Sequence, residues 1–257
     1  MQIYTHTLPG GAQLIGYLRD RTVEMPAFNT RPAILILPGG GYAWCSKREA
    51  DPVAMQFLQA GYNVFTLYYT CRSDESVPAL RWQPLIDAAG AILHIRRNAE
   101  QFGTDPAKIA ICGFSAGGHL AASAATMLPE EVRPAFAVLI YPVITAEPGK
   151  CHKGSFDNLL GTDRTAGDEA QWSLQNRVTA STPPTLLLLA DDDRTVPPVN
   201  STLFYEALKR NGVKGCSLRI YPSGGHGGGF NPDRIYRTAW RADVLDWLGT
   251  LPNSASH

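Results

Sequence analysis

Lys108-Ile109-Ala110-Ile111-Cys112 runs directly into Gly113-Phe114-Ser115-Ala116-Gly117-Gly118-His119, and Leu120-Ala121-Ala122-Ser123-Ala124-Ala125 follows without a break. The first run is rich in β-branched residues and short enough for a buried strand, and the last reads as a tightly packed, Ala-rich helix. A chain that leaves a strand and enters a helix within so few residues must turn sharply, and the serine at the apex takes a strained backbone. Glycines suit the flanks because larger side chains there would collide with the neighbouring strand and helix. A Gly-x-Ser-x-Gly pentad in this setting presents its hydroxyl at the end of a sheet. The competing reading, a glycine-rich turn with an incidental serine, is weakened by the strand-to-helix context.

The rest of the chain alternates in the same manner. Ile3 to Thr7 and Gln13 to Leu18 flank Pro9-Gly10-Gly11, a hairpin signal. Ala33 to Leu37 is an uninterrupted apolar strand, as expected where both faces of a parallel sheet are covered. Asp51 to Ala60 reads as a helix with Asp51 as N-cap, Pro52 in the first turn and Gly61 past the end. Asn63 to Tyr68 is the next strand, and Trp82 to Phe102 carries Leu85, Ala88, Ala89, Ile92, Leu93 and Ile95 near helical period. Strands are predicted at Ala135 to Ile140, Thr185 to Leu189 and Ser217 to Tyr221, with helices at Ser201 to Arg210 and Arg234 to Leu248. No repeat or low-complexity linker interrupts the pattern, so one α/β domain is expected over residues 1–257. Its sheet is mostly parallel with helices on both faces. Residues 145–182 lack a strong period and form a cap-like insertion, of the sort that usually serves as a lid or binding loop. The tail from Asn253 to His257 is expected to fray.

Composition narrows the partners. Lys plus Arg and Asp plus Glu each number 23, so no net field recruits nucleic acid or an anionic membrane. The six histidines are dispersed, without spacing that suggests zinc. Cys45, Cys71, Cys112, Cys151 and Cys216 are odd in number and follow no framework, which favours reduced thiols and a cytoplasmic location. The first residues show no basic segment followed by an apolar core, so no signal peptide is expected, and no apolar run reaches the length of a membrane span.

Three further segments fall where acyl transfer by a serine would need them. Pro38-Gly39-Gly40-Gly41-Tyr42 follows the first long strand. Backbone N–H groups of Gly40 and Gly41, with that of Ala116, can face a developing oxyanion. The segment lacks the G-x-G-x-x-G and Gly-Lys-Ser/Thr patterns of nucleotide loops. Leu186 to Ala190 ends in Asp191, Asp192 and Asp193, any of which could orient a histidine from the end of a strand, and the residues themselves leave the three nearly equal. His226 lies in Ser223-Gly224-Gly225-His226-Gly227-Gly228-Gly229 after the last strand, completing the order Ser, Asp, His. His119 would sit one helical turn beyond Ser115, away from its hydroxyl, and is read as structural, as is His94.

With these elements in order, the chain resembles the α/β-hydrolase superfamily, and within it the carboxylesterase and acetylesterase branch that includes bacterial acetylxylan-esterase-like proteins. The similarity extends to Ser46 and Glu49, to Asn158-Leu159-Leu160-Gly161, to Arg177-Val178-Thr179 with Pro183-Pro184, and to Asp193-x-x-Val196-Pro197. The resemblance implies an α/β-hydrolase fold and a Ser115, His226, Asp193 triad, because that branch places its acid three residues before a Val-Pro pair. It also implies that the 158–161 segment covers the site. Related enzymes often carry His before the oxyanion glycines. Here Pro38 replaces it and removes one polar support for the loop.

The implied reaction is hydrolysis of short acyl esters, acetyl groups on sugars such as xylo-oligosaccharides among them, with a small-molecule substrate and no metal or organic cofactor. Amide hydrolysis by the same triad, as in prolyl-oligopeptidase-like peptidases or arylformamidases, is the alternative. A non-catalytic ligand receptor is a third reading, against which the intact residue set argues. Tyr42, Trp44 and Trp172 are candidates for stacking against the alcohol portion, with packing in the core as the competing role.

Overall fold

A computed structural model describes residues 1–230 and 235–250. The strands are β1 (Gln2–Thr7), β2 (Gln13–Leu18), β3 (Arg31–Leu37), β4 (Asn63–Tyr68), β5 (Thr104–Phe114), β6 (Phe136–Ile140), β7 (Thr185–Ala190) and β8 (Ser217–Tyr221). They form one sheet in the order β1-β2-β4-β3-β5-β6-β7-β8. β1 and β2 form the predicted hairpin, and β2 runs antiparallel to β4. Every other pairing is parallel, as expected from the near-continuous apolar runs.

Period-two alternation divides these buried strands between two cores. Leu35, Leu37, Ile109, Ile111, Leu139 and Leu187 face one side, while Ile34, Ile36, Ala110, Cys112, Val138 and Leu188 face the other. The helices are α1 (Asp51–Gln59), α2 (Gln83–Arg97), α3 (Ala99–Phe102), α4 (Ala116–Met127), α5 (Lys153–Leu160), α6 (Ala166–Trp172), α7 (Val199–Arg210) and α8 (Arg237–Thr250). Apolar residues of α2, α4 and α7 join the first core, and those of α1 and α8 join the second. Helices thus cover both faces of the sheet.

Several boundaries differ from the sequence expectation. Trp82 to Phe102 is not one helix, because the Asn98 side chain donates to the His94 carbonyl at 2.8 Å and the chain breaks there into α2 and α3. The Asn98 backbone N–H also donates to that carbonyl, at 3.2 Å, so the residue closes α2 as its C-cap. Asp51 is the first helical residue rather than the N-cap, and its carboxylate accepts from the Tyr17 hydroxyl. Residues 145–182 hold α5 and α6, capped by His152 and by a reciprocal Thr165–Asp168 pair. Arg234, the expected start of the last helix, and the tail from 253 lie outside the described residues.

His119 ties α4 to the loops above the sheet. Its Nε2 lies 3.0 Å from the Trp172 carbonyl, which can only accept, so Nε2 carries the proton and Nδ1 accepts from the Tyr42 hydroxyl at 2.9 Å. The ring is fully buried, and desolvation pushes its pKa down to about 4, opposed by the bond to the carbonyl. In the unfolded chain histidine titrates near 6.5. Between those two values the unfolded state holds a proton that the folded state refuses, so stability is complete above pH 6.5 and is lost as pH falls toward 4. Urea unfolding compared at about pH 7.5 and pH 4.5 is expected to show a loss of about 2–3 kcal/mol from this group. His119→Asn, although less stable at neutral pH, should lose that part of the slope.

Candidate active site

The turn between β5 and α4 is sterically confined. A Cβ on Gly113 would lie 2.1 Å from the Gly117 carbonyl oxygen, and one on Gly117 would lie 2.1 Å from that of Leu37. With strand and helix this close, Ser115 takes φ 53° and ψ −117°, a costly region for a side-chain-bearing residue. Backbone bonds hold it there: Ser115 N–H donates to Ile140 O at 3.0 Å, and Ser115 O accepts from His119 at 3.0 Å and Val143 at 3.1 Å.

Three side chains from three strand ends converge on this turn. His226 Nε2 lies 2.8 Å from Ser115 Oγ, and His226 Nδ1 lies 2.7 Å from Asp193 Oδ2. A carboxylate can only accept, so Nδ1 donates to it and the Nε2 lone pair faces the serine hydroxyl. The Asp193 side chain is fully buried, and its other oxygen accepts from the N–H groups of Thr195 and Val196 at 2.9 and 3.0 Å. The three adjacent acids therefore separate by position. Asp193 reaches the imidazole, Asp192 accepts from Gly225 N–H at 2.7 Å and pins the histidine loop, and Asp191 is exposed.

The glycine loop after β3 lines the same cleft. Gly40 and Gly41 have φ 128° and 64°, and Gly40 O accepts from Ala43 and Trp44. A Cβ on Gly40 would lie 2.1 Å from Trp44 O, so the turn excludes any side chain. Pro38 costs the loop little support, because three other groups supply it. Tyr69 Oη donates to Pro38 O at 2.6 Å, Asn158 Nδ2 donates to Gly41 O at 2.9 Å, and Gly39 N–H donates to Glu49 Oε2 at 2.8 Å. The other oxygen of the buried Glu49 accepts from Tyr141 Oη at 2.7 Å, and that hydroxyl in turn accepts from Gly229 N–H at 2.8 Å. The Tyr141 ring also packs on His226 with centroids 4.8 Å apart. Glu49 and Tyr141 thus join the glycine loop to the histidine loop through one hydrogen-bonded chain.

The cleft has a volume of about 350 Å³, and its lining includes Gly40, Trp44, Arg48, Ser115, His152 and His226. Of the three aromatic candidates, Trp44 stands at its mouth and is 64% exposed. Tyr42 and Trp172, 1% and 3% exposed, are core residues instead, joined through His119 as described above. Through His119 of α4 they join the glycine loop to the end of α6, and neither lines the cleft. His152 had no sequence signal. Its Nδ1 accepts from Ser155 N–H as the cap of α5, and burial, together with nearby His226, lowers its pKa, with Asp193 opposing. With Nδ1 accepting from the backbone, the ring's proton sits on Nε2. A larger groove of about 590 Å³, between Met1, Arg19, Met25 and Met55, contains none of these groups. Among the described residues, no cluster of three or more His, Cys, Asp or Glu could hold a metal ion, and no helix is long and apolar enough to cross a membrane.

The Glu49 clamp can be tested without emptying the site. Glu49→Gln keeps the shape but turns one acceptor into an N–H donor facing either Gly39 N–H or the Tyr141 hydroxyl. Loss of one buried hydrogen bond of this kind corresponds to roughly 1–3 kcal/mol. Assays on p-nitrophenyl acetate are expected to show kcat lower by about 10- to 100-fold with a smaller change in KM, since the N–H groups of the displaced loop face charge that develops only in the transition state.

Comparison with known proteins agrees with this architecture. A family model described as BD-FAE matches residues 23–134, and that of the prolyl oligopeptidase family matches residues 91–253. An acetylxylan esterase of Xylanibacter ruminicola is 35% identical over 247 residues, which is 95% of this chain and 49% of that protein. Endo-1,4-beta-xylanase B of Butyrivibrio fibrisolvens is 36% identical over 226 residues, 83% of this chain and 34% of its own length. The chain spans about half of the first relative and about a third of the second. The crystal structure of an acetyl ester-xyloside bifunctional hydrolase from Caldicellulosiruptor lactoaceticus superposes with a TM-score of 0.84 at 33% identity, covering 95% of this chain and 89% of that one. By that shared identity across nearly both whole chains, and by the span of the prolyl oligopeptidase match, the chain belongs to the α/β-hydrolases, in their carboxylesterase and acetylesterase branch.

Proposed function

We propose that the protein is a serine carboxylic-ester hydrolase that removes short acyl groups, acetyl above all, from hydroxylated alcohols such as xylo-oligosaccharides. The observation that carries this reading is the continuous Ser115–His226–Asp193 relay, with contacts of 2.8 and 2.7 Å, opening into a cleft beside the glycine loop. The names of the acetylxylan esterase and of the acetyl ester-xyloside hydrolase support the substrate class.

In the proposed reaction Ser115 Oγ attacks the ester carbonyl while His226 Nε2 takes its proton, and Asp193 holds the ring in the required tautomer and stabilises the imidazolium. The N–H groups of Gly40, Gly41 and Ala116 receive the oxyanion, each such donor contributing about 2.7–4 kcal/mol in the transition state. His226 returns the proton to the leaving alcohol, then activates the water that releases the acyl group. The 145–182 segment acts as the cover on the alcohol side, contributing His152 and Asn158 to the cleft, and Trp44 offers a stacking face at its mouth. A second reading, amide hydrolysis by the same three residues, is favoured by the match to the prolyl oligopeptidase family over residues 91–253.

Turnover of p-nitrophenyl acetate by Ser115→Ala and His226→Ala should fall by at least about 1,000-fold, with circular dichroism unchanged. Asp193→Asn should cost on the order of 100- to 10,000-fold and Asp191→Asn almost nothing, and an Asp193→Asn enzyme near the wild-type rate would refute the acid assignment. A substrate panel separates the two readings: acetylated xylo-oligosaccharides, p-nitrophenyl esters of rising chain length, N-formylkynurenine and a prolyl peptide. Highest kcat/KM on the acetylated sugars or acetyl ester supports the first, and preference for either amide overturns it.

A further inference from the structure

Two of the five cysteines meet beside the glycine loop. Cys45 follows Trp44 in the turn after β3, Cys71 lies just past the end of β4, and their Sγ atoms are 3.8 Å apart across a sequence separation of 26. Both are half-buried. They share one acceptor: Cys71 Sγ donates to Tyr69 O at 3.3 Å, and Cys45 Sγ lies 3.9 Å from the same oxygen. Among the described residues, no other pair of cysteine sulfurs comes within this reach. Neighbours on both sides grip the loop, for Ser46 N–H donates to Gly39 O and Arg72 N–H donates to Tyr42 O, each at 2.8 Å. The sequence expectation of five reduced thiols thus leaves one pair placed to react with itself.

We propose that Cys45 and Cys71 form an intrachain disulfide under oxidising conditions, a covalent staple that fastens the glycine loop of the site to the end of β4. The oxidant is a low-molecular-weight disulfide such as oxidised glutathione. The Cys71 thiolate attacks one of its sulfurs, forming a mixed disulfide and expelling one glutathione thiolate. The Cys45 thiolate then attacks Cys71 Sγ and expels the second. The protein loses two electrons and two protons, and the oxidant becomes two glutathione thiols. The hydrogen bond with Cys71, and then burial, hold the Cys45 thiol above its usual range. A disulfide bond is about 2.0 Å long, so the sulfurs have less than about 2 Å to close, shared between two side chains. The loop backbone keeps its path, and the oxidised protein keeps a working site. A reducing cytosol holds the pair as thiols, and an oxidising compartment closes it.

The test treats the whole protein with oxidised glutathione, blocks remaining thiols in denaturant, and maps peptides by mass spectrometry without reductant. Free thiols should fall from five to three. Peptides carrying Cys45 and Cys71 should appear linked, and the Tm should rise by roughly 5–10 °C over the reduced protein. Turnover of p-nitrophenyl acetate by the oxidised protein should stay within about two-fold of the reduced form. Cys71→Ser and Cys45→Ser should show no Tm rise on oxidation, and should either variant fold poorly, the wild-type peptide map decides alone. Stable mixed disulfides with glutathione, a link to Cys151 or Cys216, an unchanged or lower Tm, or loss of turnover on linkage would each overturn the proposal. The peptide map does not depend on the enzymatic reading, so the two fail separately.

Discussion

Close approach of β5 and α4 across Gly113 and Gly117 governs the geometry of the site. A Cβ on Gly113 would overlap the Gly117 carbonyl oxygen in α4, and one on Gly117 would overlap the Leu37 carbonyl oxygen at the end of β3, so α4 packs on both strands at a distance that only glycine permits. That distance compels Ser115 into a left-handed backbone, a strain on the order of 1–3 kcal/mol. The end of β6 and the first turn of α4 offset it with three backbone hydrogen bonds to the serine. The hydroxyl is thereby lifted off the sheet while its backbone stays locked beneath it. β5 lies centrally, between β3 and β6, and the loops that follow β3, β7 and β8 bring the glycine run, Asp193 and His226 to the same apex.

The loops after β3 and β8 are glycine-rich, and glycine loses the most freedom on folding. Buried carboxylates order them. Asp193 gives one oxygen to the imidazole and the other to two backbone amides, and Glu49 divides its oxygens between the Gly39 amide and the Tyr141 hydroxyl. Neither acid has an arginine or lysine partner among the described ion pairs. Each is satisfied by N–H and O–H donors, which fixes direction as well as charge and suits groups that must hold a loop within tenths of an ångström.

Much of this was readable along the chain, and for definite reasons. β4 and β8 fall on their predicted limits because short runs with β-branched and aromatic residues, bounded by turn residues, declare themselves locally. The apolar period of Trp82 to Phe102 continues through Asn98, whereas the break between α2 and α3 lies in the C-cap geometry of that one residue, which periodicity does not register. Tyr42 and Trp172 show the limit more sharply. An aromatic side chain reads as accessible when its partners are unknown, yet both rings turn inward: Tyr42 meets buried His119 through its hydroxyl, and the Trp172 ring stacks on the same imidazole while its backbone carbonyl accepts from Nε2.

By itself, the sequence determined the α/β alternation, the parallel sheet, the turn at Ser115 and the order in which an acid and a histidine follow it, since these rest on periodicity and on residues that only certain backbones accept. Only the tertiary structure decided which of three adjacent aspartates meets His226, which aromatic stands at the cleft, and how a glutamate ten residues beyond Gly39 braces the loop. Adjacent acids at a strand end differ by direction alone, and direction is set by partners distant in sequence: Gly225 for Asp192, His226 for Asp193, Tyr141 for Glu49.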